Sequence, residues 1–175
     1  MKRTLLATAL AVAATAAVVA SAAPPSPDIP AALEPAAREA LADTLSAKGV
    51  QIYECRADST SGPAWKFIAP EADLFDTDGE QIGLHGAGPF WQAVDGSRIV
   101  GQVKARTEAP TRGAIPWLLL ITQSTGAAGR FSTVTSIQRI DTVGGLAPVE
   151  PCTAELIGVR TRTPYTAIYR LFSLS

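Results

Sequence analysis

From Val50 onward, apolar side chains of this 175-residue chain recur at every second position in short runs, which are cut by glycine, proline and Asp-Gly pairs. A period of two belongs to strands buried on one face, and it leaves little room for helices. Val50, Ile52 and Tyr53 lead into Cys55, and Trp65, Phe67 and Ile68 stand ahead of Pro70. Leu74 to Ile82 reads as a hairpin turning at Asp78-Gly79, and Phe90 to Val100 as a second one turning at Asp95-Gly96. Further strands are expected over 100–106, 117–123 and 132–140, the last with apolar residues on both faces. After a loop through Gly144-Gly145 and Pro148 to Cys152, a final strand sets Tyr165, Ala167, Tyr169 and Leu171 against Thr166, Ile168, Arg170 and Phe172. Eight or more such strands predict an all-β domain over residues 37–175, an antiparallel β-sandwich or barrel. Residues 36–48 read two ways. Ala37, Leu41 and Leu45 recur every four residues with Gly49 as a stop, as in a helix, whereas Leu41, Asp43 and Leu45 alternate as in a strand returning through Ala47-Lys48-Gly49.

The chain opens with Lys2 and Arg3, continues apolar from Leu5 to Ala20, and reaches a small-x-small site at Ala20-Ser21-Ala22. That pattern predicts an export signal over residues 1–22, cleaved after Ala22, with no membrane span once it is removed. Residues 23–36 hold five prolines among alanines and read as an extended, mobile leader. Without Lys2 and Arg3, the 15 basic residues fall to 13 against 16 acidic ones, a net charge of about −3. So small and dispersed an excess points to neither nucleic acid nor an anionic membrane as partner. Export to the periplasm or beyond would place Cys55 and Cys152 in an oxidising compartment, where two cysteines pair without remainder, and a Cys55–Cys152 disulfide is expected.

The densest run of special residues is Gly83 to Ser97, which holds the sole histidine, His85, together with Gly86, Gly88 and Trp91. Its glycines suggest a sharp bend linking the two hairpins and setting His85 at one edge of the sheet. Imidazole is a common metal ligand and proton carrier. A metal site with Asp76, Asp78 or Glu80 would nevertheless hold a single histidine, and Asp76-Thr77-Asp78-Gly79 lacks the later ligands of a calcium loop, so it reads as a turn. No G-x-S-x-G occurs, and Ser97 after Asp95-Gly96 reads as turn chemistry. Glu54, Glu71, Asp73 and Asp141 could supply the paired carboxylates of a glycosidase, but no spacing singles them out. Trp65, Trp91 and Trp117 lie on three different strands; Trp65 and Trp117 read as core, whereas Trp91 beside His85 could present a ring to a sugar or another flat ligand.

With Tyr53-Glu54-Cys55, Ala69 to Ala72, His85 to Trp91, Ile115 to Leu120 and Gln138-Arg139 to Gly145 in view, the chain resembles a large family of secreted bacterial and fungal proteins without assigned function. Their motifs are G-V-Q-I-Y-x-C, H-x-x-G-P-x-W, I-P-W-L-L-L and Q-R-x-x-T-x-G-G, and the likeness runs from about Leu41 to Phe172. It implies a strand over 40–47. Some fungal members carry a malate dehydrogenase label. A dinucleotide site needs G-x-G-x-x-G between a strand and a helix, and Gly83 to Gly88 has its glycines in another order between strands, so the label does not fit. The expectation is therefore an exported β domain without recognisable catalytic residues, cofactor or metal. It would bind a small molecule or glycan at Gly83–Trp91 through His85, Trp91, Gly86 and Gly88. The alternatives are an envelope hydrolase using His85 with a carboxylate, and a structural or protein-binding domain at the cell surface.

Overall fold

The computed structural model describes residues 28–57, 59–60 and 62–175, so the expected export signal lies outside the described residues. Eight antiparallel strands follow one another around a closed barrel: β1 (Glu39–Arg56), β2 (Ala64–Phe75), β3 (Gln81–Gly86), β4 (Phe90–Ala93), β5 (Arg98–Thr107), β6 (Trp117–Ser124), β7 (Val134–Gly144) and β8 (Arg160–Leu174). β8 pairs along nearly the whole of β1 and closes the ring. Of the two expected architectures the chain adopts the barrel, which leaves no unpaired strand edge.

Two local readings are corrected. Residues 39–56 form one uninterrupted strand with no return at Ala47-Lys48-Gly49, and β2 runs straight through Pro70. Pro70 is tolerated beside a bulge, where β1 and β2 shift register between Ile52 and Tyr53 and Ile68 is left without a partner. Both Asp-Gly hairpins form as expected, with Gly79 and Gly96 at positive φ. In the first, Asp76 Oδ1 accepts the backbone N–H groups of Asp78 and Glu80, at 3.1 and 3.0 Å.

The period of two sorts side chains into the barrel and out of it. At one end Leu45, Leu74, Ile99, Phe131, Ile137 and Leu171 are all fully buried and fill the lumen. The connection from β6 to β7 seals that end. Asp95 accepts the N–H of Arg130 at 2.8 Å and the hydroxyl of Ser97 at 2.6 Å, while Ser97 Oγ accepts the N–H of Phe131 at 3.1 Å, seating the phenyl ring as a plug. The opposite end carries the β1–β2, β3–β4, β5–β6 and β7–β8 connections, and there the lumen opens.

Leu33, at the end of a 3-10 turn over Ala31–Leu33, is fully buried against Trp117, Leu119 and Ile140 on the outer wall. Gln138 Nε2 donates to its carbonyl at 2.7 Å. Proline content suggested a mobile leader through Pro35, but residues 29–33 cover the outward side chains of β6 and β7. This cover explains why β6 is apolar on both faces, with Trp117 and Leu119 out and Leu120 in.

The expected disulfide is present. Cys55 and Cys152, with Cα atoms 5.4 Å apart, tie the end of β1 to the β7–β8 connection at the open end. A closed loop of this length restricts the unfolded chain by about 4 to 5 kcal/mol in the chain-entropy model.

Candidate functional site

His85 and Trp91 face each other across β3 and β4 and point into the lumen. Their rings stack with centroids 4.3 Å apart and planes 19° from parallel. Tyr169 of β8 meets both edge-on, at 5.4 Å from His85 and 5.5 Å from Trp91. The three rings form a floor across the barrel between the packed end and the open one. His85 Nδ1 lies 2.7 Å from the Phe90 carbonyl, which can only accept, so Nδ1 carries the proton. Burial lowers the His85 pKa to about 3, against a smaller upward pull from that hydrogen bond, and the nearby Arg139 lowers it further. The imidazole is neutral at physiological pH.

Above the floor lies a cavity of about 330 Å³ whose apolar lining includes Phe67, Ile68, Val103, Leu118 and Leu120. A second concavity of about 460 Å³ adjoins it at the rim and shares Phe67, Val103, Leu118 and Arg139. Arg139, on β7, reaches into both and donates through Nε and Nη2 to the Pro116 carbonyl, at 3.3 and 2.8 Å. Tyr53 Oη donates to Gly145 O at 2.7 Å, and Trp65 Nε1 to Glu150 O at 2.9 Å, so rim side chains hold the connections in place. Four buried polar atoms of the interior have no hydrogen-bond partner in the protein: Gln51 Nε2, Trp91 Nε1 and the hydroxyls of Tyr165 and Tyr169. Tyr165 and Tyr169 interact electrostatically with each other, and with Gln51 and Arg139 respectively, without completing a hydrogen bond of good geometry. Burial raises the pKa of both tyrosines, so both stay protonated.

The candidates from the sequence come together only in part. His85 and Trp91 share the floor, and Gly88, at φ 127, shapes the tight β3–β4 turn at the cavity's edge. Gly86 faces the outer wall, where a Cβ would meet the Phe90 ring at 2.6 Å. The expected bend over Gly83 to Pro89 is mostly strand β3, and only residues 87–89 turn. His85 therefore lies inside the barrel and not at a sheet edge. Trp91 is 1% exposed, so it presents no open ring face for stacking. Trp117 is buried as expected, on the outer wall, whereas Trp65 is half-buried at the rim.

No aspartate or glutamate lines either concavity. Glu54 pairs with Arg56 and Arg160, Glu71 with Arg162, and Asp73 accepts from Gln81, all on the outside. Among the described residues no three His, Cys, Asp or Glu side chains converge on a point where a metal could sit. No α-helix occurs among them either, so there is no βαβ unit to hold a dinucleotide.

Sequence reasoning missed Arg139, Tyr169, Tyr165 and Gln51. The alternation of Tyr165 and Tyr169 was visible as one face of a strand, but nothing local marks that face as the lumen.

A family model described as protein of unknown function (DUF3455) matches residues 35–173, and the chain belongs to that family. No curated protein matches the chain.

Proposed function

We propose that this member of the family is an exported protein that binds a small molecule in the cavity at the open end of the barrel. His85, Trp91 and Tyr169 form the floor of the site. The observation that carries this reading is the half-filled lumen. An eight-stranded barrel is just wide enough either to be packed by its own side chains or to hold one small ligand, and this one is packed at one end only. The volume falls in the range of small-molecule pockets, and the walls are apolar with a few convergent polar groups. An apolar or amphipathic molecule fits these walls better than a glycan does, because Trp91 offers no open face and no carboxylate is at hand to bind hydroxyls. The same lack of a carboxylate leaves the hydrolase alternative without an observation in its favour. Export is supported by the disulfide and the amino-terminal signal pattern.

The test is thermal melting of the oxidised protein against aromatic and aliphatic small molecules and, separately, cell-wall oligosaccharides. A ligand at a hundred times its Kd adds about 2.7 kcal/mol, or roughly 5 to 10 °C in a domain of this size. The expected result is a shift with members of the first group that disappears in Val103→Trp, where an indole fills the half-exposed mouth. A shift that survives in Val103→Trp, or arises only with oligosaccharides, contradicts the site. No shift with any compound would turn attention to a structural or protein-binding role.

A further inference from the structure

We infer that the cavity takes an amphipathic acid, its anionic head paired with Arg139 and its apolar body laid against Leu118, Val103 and Phe67. The inference rests on the cavity being a binding site and names its ligand class. Arg139 lies opposite Leu118 on one side and Tyr169 on the other, so its side chain enters the lumen and not the solvent outside. A cation in such a place is ordinarily matched by a carboxylate. Here none lines the cavity or its rim, and the groups that the guanidinium meets, the Pro116 carbonyl through Nε and Nη2 and the Tyr169 hydroxyl beside it, are all uncharged. The positive field reaches across the lumen. Arg139 acts on His85, Tyr53, Tyr165 and Tyr169, in each case favouring the less positive form, and Arg106 at the rim adds to it at Tyr53.

The second observation is independent of charge. Tyr169 is fully buried in the cavity floor and Gln51 is 2% exposed in the adjoining concavity, yet neither the Tyr169 hydroxyl nor Gln51 Nε2 completes a hydrogen bond of good geometry within the protein. Both are hydrogen-bond donors, and buried donors are nearly always satisfied. A carboxylate brings only acceptors, two oxygens able to meet the planar guanidinium and a neighbouring hydroxyl together. A cation without a counter-anion and donors without well-placed acceptors describe one half of such a pairing, and the apolar walls describe the other half of the molecule.

Two fluorescent probes separate the parts of this inference: N-phenylnaphthylamine, which is neutral, and anilinonaphthalene sulfonate, the same ring system bearing an anionic group. With the oxidised protein, both are expected to bind, the sulfonate about tenfold or more tighter, as befits hydrogen bonds to a charged group. Arg139→Gln should bring the two affinities level, and a near-ultraviolet circular dichroism spectrum matching that of the unaltered protein reports that the variant is folded. Arg139→Lys, which keeps the charge but loses the fork, should retain part of the preference. Equal binding of the two probes by the unaltered protein would overturn the acid and leave the cavity reading standing. A preference that persists in Arg139→Gln would overturn the role of Arg139. If neither probe binds, the cavity reading fails and the inference fails with it.

Discussion

His85 shows how far a residue's surroundings can move its chemistry. As the only histidine in the chain, it is also the only side chain whose ordinary titration falls between the carboxylates and neutrality. In the folded protein its pKa lies near 3, against 6.5 for an exposed imidazole. Above pH 6.5 both folded and unfolded forms are neutral, and the group has no effect. As the pH falls below that value the unfolded chain takes up a proton that the folded one refuses, so stability is lost progressively toward pH 3. We predict that between pH 6.5 and 5 the unfolding free energy of the protein falls with a slope approaching one proton, about 1.4 kcal/mol per pH unit at its limit. His85→Phe, which keeps the ring stack on Trp91, should flatten that slope in urea titrations at several pH values. An unchanged slope would mean that His85 is protonated in the fold. The importance of His85 was legible from its rarity and its setting, but the direction in which it points was not. Arg139 was hidden more completely, since an arginine alternating with Gln138 and Ile140 looks like any solvent-facing residue until the barrel closes around it.

At the level of the strand, the chain shows which glycines local sequence explains. Gly79 and Gly96 follow aspartates in hairpin turns, and both turns could be read directly. Gly49 looks like a terminator and is instead mid-strand, because β1 and β2 approach so closely there that a Cβ would lie 2.1 Å from Glu71 O and 2.5 Å from the Ala72 Cα. Its reason belongs to the neighbouring strand, which no window of local sequence contains. Gly49→Ala is therefore expected to destabilise by about 1 to 3 kcal/mol through backbone displacement, whereas Lys48→Ala on the exposed face should stay within about 0.5 kcal/mol. Urea midpoints at constant slope would measure both, and a neutral Gly49→Ala would show that the two strands can part without cost. The same limit applies to β6. Its run of apolar residues announces burial, but that one face meets the lumen and the other meets Leu33 follows only from the placement of the amino-terminal segment.

The whole molecule is a barrel with unlike ends. One is plugged by Phe131 and held by Asp95 and Ser97; the other is open and braced by the Cys55–Cys152 disulfide, Tyr53 and Trp65. Strand count and the cysteine pairing could be inferred from alternation and arithmetic. Which end stays open depends on side-chain volumes summed over eight strands, and no single stretch of sequence displays that sum. The asymmetry also supplies a ruler for the central claim, since the three tryptophans sit at different places: Trp91 in the cavity floor, Trp65 at the rim, and Trp117 on the outer wall beneath Leu33. The most direct measurement follows their three indole N–H signals in a proton–nitrogen correlation NMR spectrum while N-phenylnaphthylamine is added. A ligand in the cavity shifts the signals of Trp91 and Trp65, saturates at one molecule per chain, and leaves Trp117 in place. Shifts confined to Trp117, or no saturable shift of Trp91, would contradict a binding site in the barrel.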